Sequence, residues 1–236
     1  MSGRCQSGFY PGGVYTYEKS FLAPEEWKNQ DVVLEFEGIY GTARVWINGA
    51  LASVNRNGYM GFSVDLKPWI CYGQENLIKI DVDNSNQPNS RWYTGSGIYR
   101  DVNLWTGKGV YIPHDEMKIT TLSVNDDVAV VEVCAKLKNT KECGMEAKCQ
   151  FELIFAGKTV VTEKQNIVFY SERTETIRVQ LPVKCPKKWS TDHPNLYQCC
   201  VKTYIGDEMC DEYTVDFGIR TLALDPVMGF RLMGKQ

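Results

Sequence analysis

The 236-residue chain carries a formal net charge of -3 with 23% charged residues, an ordinary surface without the basic field that nucleic acid or an anionic membrane would require. On a prior of roughly 100–200 residues per domain, the length supports two domains with cores of their own. No apolar run approaches the roughly 20 residues of a spanning helix, and Met1 to Tyr10 has neither the charged start nor the apolar centre of a signal peptide.

In chain order, Pro24-Glu-Glu-Trp27 is the single helical candidate, one turn with Pro at a favoured first position. Val32, Leu34 and Phe36 then alternate with Val33, Glu35 and Glu37, the period of a half-buried strand. Asn48-Gly49 sits between Ala43-Arg-Val-Trp-Ile47 and Ala50-Leu-Ala-Ser-Val54 and predicts a type I′ hairpin. Trp46 and Trp105, each inside a strand pattern, are expected in the core. Val102-Asn-Leu-Trp105 and Val110-Tyr-Ile112 close the first domain, and Pro113-His-Asp-Glu116 reads as a linker. Beyond it, short strands are expected near 117–124, 128–137, 147–156, 158–169, 174–181, 197–206 and 210–217, with a hairpin at Gly157. Ile177, Val179 and Leu181 face inward. That count and spacing predict an all-β protein whose second part is an immunoglobulin-like sandwich.

The stretch Asn84-Ser-Asn-Gln-Pro-Asn-Ser-Arg-Trp-Tyr-Thr-Gly-Ser-Gly-Ile-Tyr-Arg-Asp101 concentrates amides, a guanidinium, two large aromatics and glycines in one polar loop. Amides and Arg91 can hydrogen-bond sugar hydroxyls, Trp92 and Tyr93 can stack on an apolar sugar face, and Gly95 and Gly97 allow the bends. The loop resembles the segment that closes the N-terminal jelly-roll domain of glycoside hydrolase family 2, most closely its β-galactosidase-like branch. Further stretches similar to that family occur in order: Pro11-Gly-Gly-Val-Tyr-Thr-Tyr-Glu-Lys-Ser-Phe21, Leu34-Glu-Phe-Glu-Gly-Ile-Tyr40 with Ala43 to Gly49, Trp189-Ser190 with His193-Pro-Asn-Leu-Tyr197, Phe217-Gly-Ile-Arg-Thr221, and Gly229-Phe-Arg-Leu-Met-Gly-Lys235.

The resemblance implies a galactose-binding-like jelly-roll β-sandwich over 1–112, a linker at 113–116, an immunoglobulin-like sandwich over 117–221, and at 222–236 the lead-in to a (β/α)8 catalytic barrel. In the family the barrel carries two glutamates of a retaining mechanism. A barrel takes on the order of 250 residues, so no catalytic residue is expected within these 236. The resemblance further implies that the parent hydrolyses terminal β-glycosides, β-galactosides first. The loop would place Arg91, Trp92, Tyr93, Asn84 and Asn89 against the first sugar, with Asn86 a further candidate. Its partners would be the parent's own barrel, the sugar and a second subunit. Where several family members have an aspartate, this chain has Arg91, which donates but cannot accept. The front also lacks the strand and Pro-His-Asp-Trp-like motif usual before Pro-Gly-Gly. Two other readings are a stand-alone carbohydrate-binding module and a purely structural β-sandwich pair.

No residue pattern calls for a cofactor or metal. Asp65, Asp81, Asp83 and Glu75 match no cation loop, His193 reads as a turn residue, and Ser96 lacks a nucleophile elbow. Arg100 and Asp101 are expected to pair with each other or with backbone. Trp189, Pro194 and Tyr197 are expected to form a packed corner whose indole and phenol find backbone acceptors. The nine cysteines contain no Cys-x-x-Cys pair, which favours reduced thiols and a cytoplasmic setting over a disulfide framework or a structural zinc.

Overall fold

A computed structural model describes residues 12–86, 95–141, 144–170, 173–227 and 229–232. Alternation produces what it predicts: these residues are strands with one short 3-10 turn, Glu25–Asn29, preceded by Pro24, whose carbonyl accepts the Trp27 N–H at 3.1 Å. The chain divides into two units between Thr106 and Gly107.

The first unit contains β1 (Val14–Ala23), β2 (Asp31–Phe36), β3 (Ile39–Tyr40), β4 (Thr42–Ile47), β5 (Ala50–Asn55), β6 (Phe62–Asp65), β7 (Gln74–Asp83), β8 (Gly97–Ile98) and β9 (Val102–Gly107). One sheet has the order β1-β7-β4-β5, another β6-β2-β9, and β3 pairs with β8. Val32, Leu34 and Phe36 of β2 pack with Ala43, Val45 and Ile47 of β4 and Ile78, Ile80 and Val82 of β7 in one apolar core between the sheets. Burial of each such large side chain contributes about 1.5–3 kcal/mol. The β4–β5 turn has positive φ at Asn48 (50°) and Gly49 (84°), as a type I′ hairpin needs.

One buried polar group pins this sandwich. Asn76, 1% exposed, accepts from Asn48 Nδ2 and from the Cys71 N–H, both at 2.7 Å, and donates to the carbonyls of Cys71 (2.8 Å) and Gln74 (3.0 Å). The Asn48 side chain in turn donates to the Trp69 carbonyl and accepts the Leu77 N–H. Gly97 is fixed sterically: its φ is +85° and a Cβ would land on the Tyr17 hydroxyl of β1.

The second unit contains β10 (Val110–Tyr111), β11 (Met117–Val124), β12 (Val128–Asn139), β13 (Met145–Phe155), β14 (Lys158–Phe169), β15 (Thr174–Lys184), β16 (Tyr197–Ile205), β17 (Glu208–Phe217), β18 (Leu222–Asp225) and β19 (Gly229–Leu232). A sheet in which β12 pairs with β10, β11 and β15 faces a sheet of order β14-β13-β16-β17. Between them pack Val131, Val133 and Leu137, Ile177, Val179 and Leu181, Phe151 and Leu153, and Val201. The fold is all-β, two sandwiches in series. The β13–β14 turn repeats the positive-φ pair at Ala156 and Gly157.

Several expectations are revised. Val110 and Tyr111 pair with Asn139 and Lys138 of β12, so they join the second unit rather than ending the first at 112. The expected linker is itself anchored there: Asp211 Oδ2 accepts the Ile112 N–H at 2.9 Å and the Tyr213 hydroxyl accepts the Asp115 N–H at 3.2 Å. Trp105 is 39% exposed, its indole donating to Glu35 Oε2 at 2.6 Å, and Trp46 shares the outward face of β4 with Arg44; neither is core. Arg100 sets its guanidinium 5.4 Å from the Tyr99 ring centre. The corner at Trp189 forms with reversed polarity, since the Tyr197 hydroxyl accepts the Lys187 N–H at 2.8 Å, while Arg220 covers the Trp189 ring at 4.4 Å. One reading there stands unrevised: His193 is a turn residue, its N–H bonded to Ser190 Oγ.

The cysteines among the described residues, Cys71, Cys134, Cys149, Cys185, Cys199, Cys200 and Cys210, are free thiols. Burial pushes those of Cys149 and Cys199 up to about 12. Residues 222–232 form a hairpin in which Leu222 and Leu224 stand opposite Leu232 and Phe230, and Leu224 is 84% exposed.

Two expectations test these anchors. Asn76→Ala removes the buried amide that ties Cys71, Gln74 and Asn48 together and is expected to destabilise the first unit by about 1–3 kcal/mol in urea unfolding. Burial raises the Asp211 carboxyl, opposed by the Ile112 and Glu212 N–H groups. Between the ordinary and the raised value the folded chain therefore holds more protons than the unfolded one, and stability falls as pH rises through that window. Asp211→Asn keeps an acceptor for Ile112 without the buried charge. Thermal melts should show the variant gaining on the native chain at about pH 7, with the gain fading toward about pH 4.

Candidate functional site

Register brings the site together. In the β4–β7 ladder Thr42 stands opposite Asp83, and Val14 of β1 lies on the other side of Asp83. The chain leaving β7 at residues 84–86 therefore emerges beside the start of β4. The Asn84 N–H is fixed to the Gly13 carbonyl at 2.8 Å, and Asn84 is buried. The third wall is the β5–β6 connection. There Asn55 and Asn57 bond to each other, and the Tyr99 hydroxyl donates to the Gly58 carbonyl at 2.9 Å.

These pieces enclose an open cavity of ≈ 530 Å³, within the roughly 300–1,000 Å³ of small-molecule sites. Tyr40, Gly41 and Thr42 line one side, Arg56, Asn57, Gly58 and Tyr59 a second, and Asp83, Asn84 and Asn86 a third. Tyr40 and Tyr59 meet edge to face at 5.4 Å between ring centres. Asp83 Oδ1 accepts both the hydroxyl (2.6 Å) and the N–H (3.0 Å) of Ser85. The hydroxyl and then the N–H hold that carboxyl below its ordinary range, so it is ionised at neutral pH.

The lining is amides, aromatic rings, one guanidinium and one carboxylate. That set can bind hydroxyl-rich ligands by donors, acceptors and ring faces. A retaining hydrolysis needs two carboxyls about 5–5.5 Å apart, and Asp83 is the single carboxylate among the described lining residues. A smaller hollow of ≈ 230 Å³ in the second unit, lined by Glu146, Lys148, Asn166 and Asp207, has no aromatic ring among its described lining residues.

Of the residues singled out from sequence, Asn84 and Asn86 line the cavity. Asn89, Arg91, Trp92 and Tyr93 lie outside the described residues. Tyr40, Arg56 and Tyr59 are not among the residues singled out from sequence, and Asp83 figures there only among carboxylates that match no cation loop; the signal that could have drawn attention to Asn55-Arg-Asn-Gly-Tyr59 is its turn composition.

Comparison with known proteins agrees with this architecture. Residues 8–108 match the model of the glycosyl hydrolases family 2 sugar binding domain, and residues 110–220 match a second model of glycosyl hydrolases family 2. The β-galactosidase BoGH2A of Bacteroides ovatus is 35% identical over 97% of this chain, and a putative β-glucuronidase of Formosa agariphila 32% identical over 97%. The chain spans 27% and 21% of their respective lengths. A family 2 glycosyl hydrolase of Bacteroides cellulosilyticus superposes with a TM-score of 0.93 at 30% identity, over 100% of this chain and 33% of that one. With both family models satisfied in order, and a jelly-roll sandwich followed by an immunoglobulin-like one, the chain belongs to glycosyl hydrolase family 2.

Proposed function

We propose that this chain is the non-catalytic N-terminal region of a retaining β-glycosidase, and that its 84–97 loop helps form the first sugar subsite. The observation that carries the reading is the cavity at the root of that loop, where Asn84 and Asn86 meet Tyr40, Arg56 and Tyr59. Asn89, Arg91, Trp92 and Tyr93, further along the same loop, complete the proposed contacts. The parent hydrolyses terminal β-galactosides; in support, the relative at 35% identity is named a β-galactosidase. The β-glucuronidase names at 32% and 28% make glucuronides the competing substrate class. Hydrolysis is the work of a catalytic barrel in the parent. The exposed apolar face of the 222–232 hairpin suits burial against that barrel.

A second reading, a carbohydrate-binding module active by itself, is favoured by one observation: every described lining residue of the cavity lies in the first unit. Calorimetry separates the two: a self-sufficient module should bind galactose, glucuronate or mannose as tightly as the parent with its barrel does, whereas part of a subsite should bind them far more weakly than the parent.

The direct test is a chromogenic panel of β-galactoside, β-glucuronide and β-mannoside, run on the 236-residue chain and on the parent with its barrel. The parent is expected to release chromophore from the β-galactoside and the chain from none; turnover by the chain would overturn the assignment. In the parent, Arg91→Ala is expected to raise KM about tenfold to a hundredfold by removing a charged hydrogen bond. Asn84→Ala should raise it by less. A loss of thermal stability with unchanged KM would instead make Arg91 a packing residue.

A further inference from the structure

The β5–β6 connection is tied more firmly than a strand link requires. Asn55 Nδ2 donates to the Asn57 carbonyl at 2.9 Å and the Asn57 N–H returns a bond to Asn55 Oδ1 at 3.2 Å. Asn57 Oδ1 then accepts the N–H groups of Tyr59 (3.0 Å) and Met60 (3.3 Å). From below, Tyr40 packs so closely on Gly58 that a Cβ there would stand 2.7 Å from the ring. This rigid turn does not serve the core: Tyr59 is 58% exposed, with Met60 and Arg56 exposed beside it. A turn ordered during folding that offers an aromatic face outward loses little entropy when a ligand arrives.

Chemistry narrows the ligand. The side-chain oxygen of Asn57 is engaged in the turn and Asp83 Oδ1 is engaged by Ser85. Besides the amides of Asn84 and Asn86, the cavity thus offers a ring face from Tyr59 and donors from Arg56. An aromatic face covers the C–H side of a pyranose while a guanidinium donates to its hydroxyls. Among the described lining residues the positive Arg56 is matched by the ionised Asp83, so the turn itself brings no net charge to favour a uronate. At ≈ 530 Å³ the space also exceeds what one hexose ring fills.

We propose that Tyr59 and Arg56 form a second saccharide position adjoining the first, which takes the next unit of a neutral β-linked oligosaccharide. The proposal rests on the sugar reading of the 84–97 loop and assigns its extended specificity to a turn on a different part of the fold.

The test is an NMR titration of the isotope-labelled 236-residue chain with β-1,4-galactotriose, with methyl β-D-galactopyranoside, and with a β-linked glucuronic acid oligomer. The triose is expected to bind about tenfold tighter than the monosaccharide, shifting amides of 56–60 and 84–86; Tyr59→Ala should erase that advantage. Tyr59→Phe, which keeps the ring, should stay within about twofold of the native chain, and Arg56→Ala should weaken the triose. Both side chains are exposed, so neither replacement threatens folding. Equal affinity for triose and monosaccharide, preference for the uronate, absence of binding at millimolar sugar, or a Tyr59→Ala chain that binds triose unchanged would each overturn the proposal. Because no bond is cleaved in this measurement, its result is independent of whether the parent hydrolyses galactosides.

Discussion

The position of the cavity depends on the β4–β7 ladder, in which Thr42 lies opposite Asp83. Once that register is set, the residues before β4 and those after β7 must share one edge of the sandwich. Gly41 closes the junction: at φ +110° its Cα approaches so near that a Cβ would stand 2.8 Å from the Asp83 carbonyl. A slip of one residue would turn Val45, Ile47, Ile80 and Val82 out of the core, so the apolar pattern that stabilises the sandwich also fixes the place of the site. Site geometry is therefore inherited from core packing at no separate cost in ordering the strands.

Buried polar groups take a different role from the apolar core. Asn76 and Asn48 use nearly all their hydrogen-bonding capacity on backbone groups of the loops around β7. In the second unit Thr203 donates to the Val110 carbonyl and Asp211 accepts from Ile112. In each case a side chain from a strand or its turn satisfies backbone groups outside the long ladders. Burial of apolar area is non-directional, whereas these bonds specify where a connecting segment lies. Segment 107–116 is thereby part of the second sandwich rather than a free tether.

Most of the fold was legible because strand burial has a period of two. Val32, Leu34 and Phe36, or Ile177, Val179 and Leu181, declare their inward face without any partner being known. Asn48-Gly49 and Ala156-Gly157 were legible for another local reason, the positive φ that their turns demand. The tryptophans were not. Trp46 and Trp105 sit on outward faces, where a large ring packs along neighbouring side chains and an indole finds Glu35, a placement that depends on strands distant in sequence. Asn84 could be found from its loop's composition, but Tyr40 and Tyr59 become wall residues only through the register of β3, β4 and β7. Asn55 and Asn57 were not singled out, because asparagines in a turn carry no sign of what the turn holds up, here the Tyr59 ring.

The chemistry of the cavity separates recognition from bond cleavage. Binding a sugar takes ring faces and donors at fixed positions, which a turn and a sheet edge supply within one domain. Cleavage with retention takes an acid and a nucleophile that differ in protonation and stand close together. Asp83 is unsuited to the acid, since Ser85 keeps it ionised, and no second carboxyl stands beside it among the described lining residues. Among the described lining residues the one carboxylate is engaged by Ser85 and matched by one guanidinium, a set suited to holding a hydroxyl-rich ligand by donors and ring faces.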